Sequence, residues 1–384
     1  MATTKSSSRR SCKRWLKGFL SVFLLLLLLN AFFNFHADSA GIFRPNKGLK
    51  GIALNLINGK MVAGYLGRSD ERELERLVVE NYPDRRDIIA LGSSRSMLLR
   101  KRFIAGGVDF FNHAVSGGMI EDCVAIVGLY KRKGLLPKTV IIGMDPWMFN
   151  KNAWPGAEFW KILEPYYREM VDEFPKGPEE IDPVKSVAPP KLSATSKYEQ
   201  LINLEYTLQN WQHVQKGEKI YVTSTADVDD YVREPDGSLH FPYTMRFRTM
   251  PELGSIGLPE IIYHNFTELS GTELFENLVR WLKSHGVKVV FLLPPLHPDA
   301  YQICLRDPKY GITLKIEAYL RQFARDNDIT VIGSFDPSKY GFKAQDFSDM
   351  IHGHEHVMQK LFENYRWNTS LGHPSHQIAA SSLP

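Results

Sequence analysis

Cysteine is scarce: Cys12, Cys123 and Cys304 are all that the sequence holds. None stands in a pair or quartet with zinc spacing, so neither a zinc finger nor a disulfide-rich scaffold fits. The clump His352-Gly353-His354-Glu355-His356 lacks a second ligand-bearing segment, and no metal or other cofactor is expected. A surplus of one charge is missing too. Lys and Arg total 47 against 43 Asp and Glu, and six of the bases (Lys5, Arg9, Arg10, Lys13, Arg14, Lys17) precede residue 18. Subtracting those six from 47 leaves 41 against 43, a net of −2, so nothing in the rest points to nucleic acid. No internal repeat is visible, and no low-complexity tract beyond a run of leucines.

What is present begins with that run. Residues 18–35 carry no charge and include Leu24 through Leu29 in succession. Eighteen residues is the lower limit for a membrane-spanning helix. Lysines and arginines ahead of it place the N-terminus in the cytoplasm and the remainder on the extracytoplasmic side, periplasmic or cell-surface. Cleavage of a signal peptide near Ala37-Asp38-Ser39 is the competing reading, but the apolar run exceeds a usual signal core, so an uncleaved anchor is expected. Asn30 and Asn34 count slightly against the helix, since polar side chains at depth are unfavourable. Beyond the membrane Cys123 and Cys304 either pair in an oxidising compartment or stay as buried thiols. The expected layout is a leader at 1–17, an anchor at 18–36, a lead-in at 37–84, a domain at 85–370 and a tail at 371–384.

Within the domain, short apolar runs at 88–91, 108–113, 139–144, 287–293 and 330–332 read as buried strands. Helical spacing separates most of them, at 119–132, 272–285, 315–327 and 356–365, with Gly286 as a stop signal. Alternating strands and helices predict a three-layer α/β/α sandwich around a parallel sheet. The pattern breaks over 147–271, an insertion after the third strand. It carries helical stretches at 159–174 and 198–215, a Pro-, Lys- and Ser-rich segment between them, and a Pro-Asp-Gly turn at 235–237 that predicts a hairpin. Its place, on the edge that carries the serine turn below, suits substrate selection or a structural cap.

Gly92-Ser93-Ser94 closes the first strand, and Asp349-Met350-Ile351-His352 comes near the other end. Gly92 allows a tight turn that leaves Ser94 exposed at the strand's carboxyl end, where open α/β sheets keep their ligands. His352 can take the serine proton and Asp349 can orient the imidazole. Between them stand Asn112-His113-Ala114-Val115-Ser116-Gly117-Gly118 and Gly143-Met144-Asp145-Pro146. In this order the blocks resemble those of the SGNH/GDSL hydrolase superfamily. The resemblance covers most of 85–145 and 287–365 and implies a Ser94–His352–Asp349 triad. Asn112 and Gly117 fall in its oxyanion block, Ser93 where the family has aspartate, and Asp145 where it has asparagine.

An ionised carboxylate cannot donate a hydrogen bond. Asp145 is therefore either protonated in a desolvated site or structural, leaving an oxyanion hole of two donors, Ser94 N–H and Gly117 N–H; the second is favoured. Arg95, next to the serine, could bind a substrate carboxylate or phosphate or be a surface arginine. Arg100-Lys101-Arg102 reads as a solvated face. His297 could line the site, and Trp147, Trp154 and Trp160 could stack on sugars or pack a cap.

With its anchor, its Gly-Ser-Ser turn and a strand ending Phe291-Leu292-Leu293-Pro294-Pro295, the chain is similar to membrane-anchored SGNH proteins of envelope polymer modification. Those include the D-alanyl lipoteichoic acid transfer and alginate O-acetylation families. The likeness implies a serine-dependent transfer of an acyl group, acetyl or D-alanyl, to an envelope glycan or teichoic-type polymer. A multi-spanning membrane-bound O-acyltransferase would be the donor partner. A carbohydrate esterase and an inactive polymer assembly factor are the alternatives.

Overall fold

The computed structural model describes residues 4–38, 43, 48–104, 107–150, 158–175, 198–199, 201–216, 220–246, 266, 268–363 and 365. The chain divides into two compact units, Met1–Gly48 with Ile181–Lys219, and Leu49–Glu180 with Ile220–Pro384. The first is built on α1 (Thr4–Ala37). Its stretch Arg14–Ala37 is 24 residues long, with a mean hydropathy of 2.2 in its most apolar window, enough to cross a membrane. In the same unit the stretch expected as one helix at 198–215 is helical at Tyr198 and Glu199, turns at 201–202 and runs on as α6 (Leu204–Lys216).

The second unit is mixed α/β. Its main sheet has the order β3 (Phe110–Asn112), β2 (Ile88–Leu91), β4 (Thr139–Gly143), β8 (Lys288–Leu293), β9 (Thr330–Gly333). Every pairing is parallel, with Ile89 opposite Phe111 and Val140, and Phe291 opposite Ile142 and Val331. β2 and β4 are buried along their whole length, which is why they read as unbroken apolar runs rather than alternating ones. Ile89, Leu91, Val140, Ile142, Phe291 and Leu293 join one apolar cluster with α4 (Ile120–Lys133), α7 (Thr272–Ser284) and α9 (Ile312–Asp326). Ala90, Ile141, Val290, Leu292 and Ile332 join another with α10 (Glu355–Glu363). Alternate side chains of the strands thus enter two cores. Cys123 and Cys304 both lie buried in the first, and no disulfide joins them.

A second sheet was not legible in the sequence. β5 (Tyr221–Thr223), β1 (Met61–Ala63), β6 (Val232–Arg233) and β7 (Leu239–His240) form an antiparallel ribbon in that order. β6 and β7 are the hairpin expected at the Pro-Asp-Gly turn, closed by Glu234 N–H to Ser238 O at 2.8 Å. β1 comes from the lead-in, flanked by α2 (Leu49–Ile57) and α3 (Arg68–Asn81), whose apolar residues pack together around Val62. The stretch expected as one helix at 159–174 is a 3-10 turn, Phe159–Leu163, followed by α5 (Glu164–Val171). Pro165 lacks an N–H and so starts a helix more readily than it continues one. Trp154, the segment 176–197 and the tail lie outside the described residues.

Candidate active site

The main sheet places strands on both sides of β2, so the crevice between β2 and β4 opens at their carboxyl ends. Both ends carry polar groups there, Ser93 and Ser94 after β2 and Asp145 after β4. The turn at β2 depends on Gly92. Its φ is +142°, and a Cβ there would lie 2.8 Å from Ser96 Oγ and 3.0 Å from Gly143 O. No other residue fits without moving the serine loop or β4.

Ser94 Oγ lies 2.9 Å from His352 Nε2, and His352 Nδ1 lies 2.7 Å from Asp349 Oδ2. Asp349 Oδ1 accepts the N–H groups of Ile351 and His352, each at 2.8 Å, which fixes the loop that carries the histidine. Burial pushes the Asp349 carboxyl upward, but the hydrogen bond and charge of His352 and the two backbone donors outweigh it and hold the carboxyl at about 2. An ionised Asp349 can only accept, so Nδ1 keeps the ring proton and Nε2 is left to accept from Ser94. Phe241 packs against the imidazole in a T-shaped arrangement, with ring centroids 6.1 Å apart. These three side chains, 258 residues apart in sequence at the widest, form one hydrogen-bonded chain.

Ser94 and His352 open onto a cavity of about 360 Å³, which Gly117 also lines. Gly117 has a φ of +60°, in the left-handed region. Among the described residues neither its N–H nor that of Ser94 donates to a protein acceptor. Two unspent donors therefore flank the serine. Much of the wall is apolar or aromatic, including Tyr65, Trp147, Tyr231 and Phe241. Tyr231 and Phe241 come from the insertion, and the hairpin is fastened to the serine loop by Leu239 N–H to Met97 O at 2.9 Å. The insertion thus builds part of the cavity.

The other expected site residues lie behind this wall. Asn112 is fully buried; its Nδ2 donates to Ser96 O and Leu99 O, both at 2.9 Å, and its Oδ1 accepts from Ala114 N–H. It braces the serine loop and does not face the cavity. Arg95 is buried rather than available to substrate. It gives Nη1 to Asp145 Oδ1 at 2.6 Å, Nε to Ile351 O at 2.7 Å, and Nη2 to Pro294 O at 2.5 Å and Pro295 O at 2.8 Å. Ser93 Oγ donates to the second oxygen of Asp145 at 2.5 Å. Both carboxyl oxygens are thereby occupied as acceptors, and Asp145, fully buried, takes no place in the cavity wall. Burial pushes its carboxyl above the ordinary value, against the pull of Arg95 and Ser93.

Arg95 therefore ties the serine loop, the end of β4, the end of β8 and the histidine loop into one knot. Sequence reasoning missed this because the adjoining acid, Asp145, is 50 residues away. Arg100 departs from its expected solvated face for a similar reason: it is fully buried, bonded to Ser238 Oγ, His240 Nδ1 and Glu355 Oε2. His297 is also buried, accepting Asp299 N–H with Nδ1 at the start of α8 (Pro298–Arg306). Trp160 packs on Tyr167, with ring centroids 4.5 Å apart, and Trp147 lines the cavity while the Arg95 guanidinium sits 5.9 Å from its ring centre.

No family model, curated protein or solved structure matches the chain. What fold and site define together is a mixed α/β unit with a serine–histidine–aspartate chain at the carboxyl edge of a parallel sheet.

Proposed function

We propose that the chain is a membrane-anchored serine acyltransferase of SGNH type, with its α/β unit on the extracytoplasmic side, acting on a cell-envelope polymer. The hydrogen-bonded chain Ser94–His352–Asp349 at the mouth of the cavity is the observation that carries this reading. His352 Nε2 takes the Ser94 proton as Oγ attacks the carbonyl carbon of the acyl donor. The tetrahedral oxyanion is met by the N–H groups of Ser94 and Gly117, which have no competing protein acceptor among the described residues. Collapse expels the donor's leaving group, which takes the proton back from His352 and leaves an acyl ester on Ser94. An acceptor hydroxyl then loses its proton to His352, attacks the ester, and departs acylated while Ser94 recovers its proton.

Asp145 is no third donor in this scheme; with Arg95 it holds the serine and histidine loops at fixed spacing. The aromatic wall offers faces on which sugar rings of the acceptor can stack. A multi-spanning O-acyltransferase in the same membrane would supply the acyl group, acetyl or D-alanyl.

Cells carrying Ser94→Ala should lose acylation of the envelope polymer while keeping the protein at normal level in the membrane. Unchanged acylation would remove Ser94 from the reaction. Water competes with the polymer hydroxyl for the same acyl ester. The purified full chain should therefore acylate added polymer in preference to hydrolysing a small acyl ester, and the reverse preference would make it an esterase.

A further inference from the structure

The two asparagines inside the apolar stretch of α1 are not left to lipid. Asn34 Nδ2 donates to Leu201 O and to Thr207 Oγ1, both at 2.9 Å, and Asn34 Oδ1 accepts from Asn210 Nδ2 at 3.0 Å. One turn earlier, Asn30 Nδ2 donates to Leu201 O at 3.2 Å and Asn30 Oδ1 accepts from Thr207 Oγ1 at 2.9 Å. Tyr206 OH donates to Asp38 Oδ1 at 2.9 Å, just past the end of α1. Asn34 and Asn210 are fully buried in this seam.

Contacts from Leu201 to Asn210 thus converge on two turns of α1, in no steady register: Leu201 and Thr207 both reach Asn30 and Asn34. At 1.5 Å per residue, Asn30 and Asn34 lie roughly 5–10 Å short of the helix end at Ala37, within the outer part of a hydrocarbon core about 30 Å thick. Whatever depth they take, α6 takes with them.

Beside this seam α6 carries an exposed apolar flank, whose Trp211 also meets Phe33 of α1 with ring centroids 6.2 Å apart. Leu204, Leu208, Trp211 and Val214 recur at helical spacing and are 71, 55, 54 and 54% exposed. A stripe of that length on a water-soluble surface would be costly, whereas at the depth of Asn30 it meets acyl chains, with Trp211 of the kind enriched in interfacial belts. We propose that α6 is a membrane-interface helix, packed on the outer end of α1 with this stripe in the acyl-chain boundary of the bilayer, and that α1 is retained as its partner. Cleavage near Ala37 would take Asn30 and Asn34 away from Thr207 and Asn210. This inference is independent of the chemistry at Ser94.

The test uses the full chain in phosphatidylglycerol–phosphatidylcholine vesicles, with Cys12→Ser and one added cysteine carrying an environment-sensitive fluorophore. At Leu208→Cys and Leu204→Cys the emission should shift to the blue and be quenched by lipids bearing a nitroxide near the headgroup. At Gln322→Cys, on the exposed face of α9, neither should occur. Adding Asn34→Ala should abolish the quenching at position 208; if that variant fails to insert, Asn210→Ala removes the same hydrogen bond from the α6 side. Position 208 reacting with a membrane-impermeant thiol reagent as fast as position 322, with no lipid quenching, would overturn the proposal. So would protection that develops only when a second protein is added, or a mature chain lacking α1.

Discussion

At the scale of the residue, Asp349 shows how little sequence distance says about chemical role. Three residues from His352, it accepts two backbone N–H groups on one oxygen and the imidazole on the other. Asp349→Asn would offer the ring an amide that can donate as well as accept, and the imidazole could adopt the wrong tautomer. Turnover should fall about 10³–10⁴-fold with the fold intact, read from acyl transfer alongside circular dichroism; a loss under tenfold would mean the carboxylate is not the orienting group. Arg95 is a different kind of residue. With both it and Asp145 out of water, Arg95→Met should lower stability by about 3–5 kcal/mol because it strands a buried carboxylate. Unfolding of the detergent-solubilised chain measures this, and the double variant Arg95→Met/Asp145→Leu should recover part of the loss. Equal or greater damage in the double variant would contradict that explanation.

Elements explain why the site assembles and why part of it could be read beforehand. β2, β4 and β8 are legible because strands buried on both faces must be continuously apolar, and Ile88 to Leu91 or Val289 to Leu293 satisfy that from sequence alone. The Gly92-Ser93-Ser94 turn and the Asp349–His352 pair were legible too, since turn and triad chemistry restrict residue type. β1, β5, β6 and β7 are two or three residues long, too short for an alternation to register, so only the Pro-Asp-Gly turn betrayed their ribbon. Asn112 was misplaced for a subtler reason. An asparagine at a strand end reads the same whether it faces a ligand or carries the carbonyls of a neighbouring loop, and here it carries Ser96 O and Leu99 O. Gly92→Ala tests the turn directly: the added methyl at φ +142° collides with Ser96 Oγ and Gly143 O. Acyl transfer should collapse with a destabilisation of roughly 1–3 kcal/mol, judged by thermal unfolding. A fully active, equally stable variant would mean that the turn does not need glycine.

For the whole molecule, electrostatics sets the range of pH over which the fold holds. Asp349 is held at about 2 and so is Glu234, whose carboxylate meets His240, Arg100 and Arg102 and is lowered despite its burial. Both folded-state values lie below the ordinary carboxylate range, so the folded protein binds fewer protons than the unfolded one between those limits. Their contribution to stability is complete above about pH 5 and is lost as pH falls toward 2. Acid titration of unfolding should show stability dropping across that window, and less steeply in Glu234→Gln. A flat profile would contradict the pairing. The long apolar helix was legible from eighteen uncharged residues, but the partners of Asn30 and Asn34 were not, because Thr207 and Asn210 lie more than 170 positions away.

The claim on which the function stands is that Ser94 carries the acyl group. Membranes holding the full chain and an acyl donor, quenched rapidly and digested, give a peptide containing Ser94 whose mass reports that intermediate. The account predicts an added acyl mass on Ser94, absent from Ser94→Ala and much reduced in His352→Ala. Polymer acylation proceeding with no adduct on Ser94, or with the adduct on another residue, would contradict it.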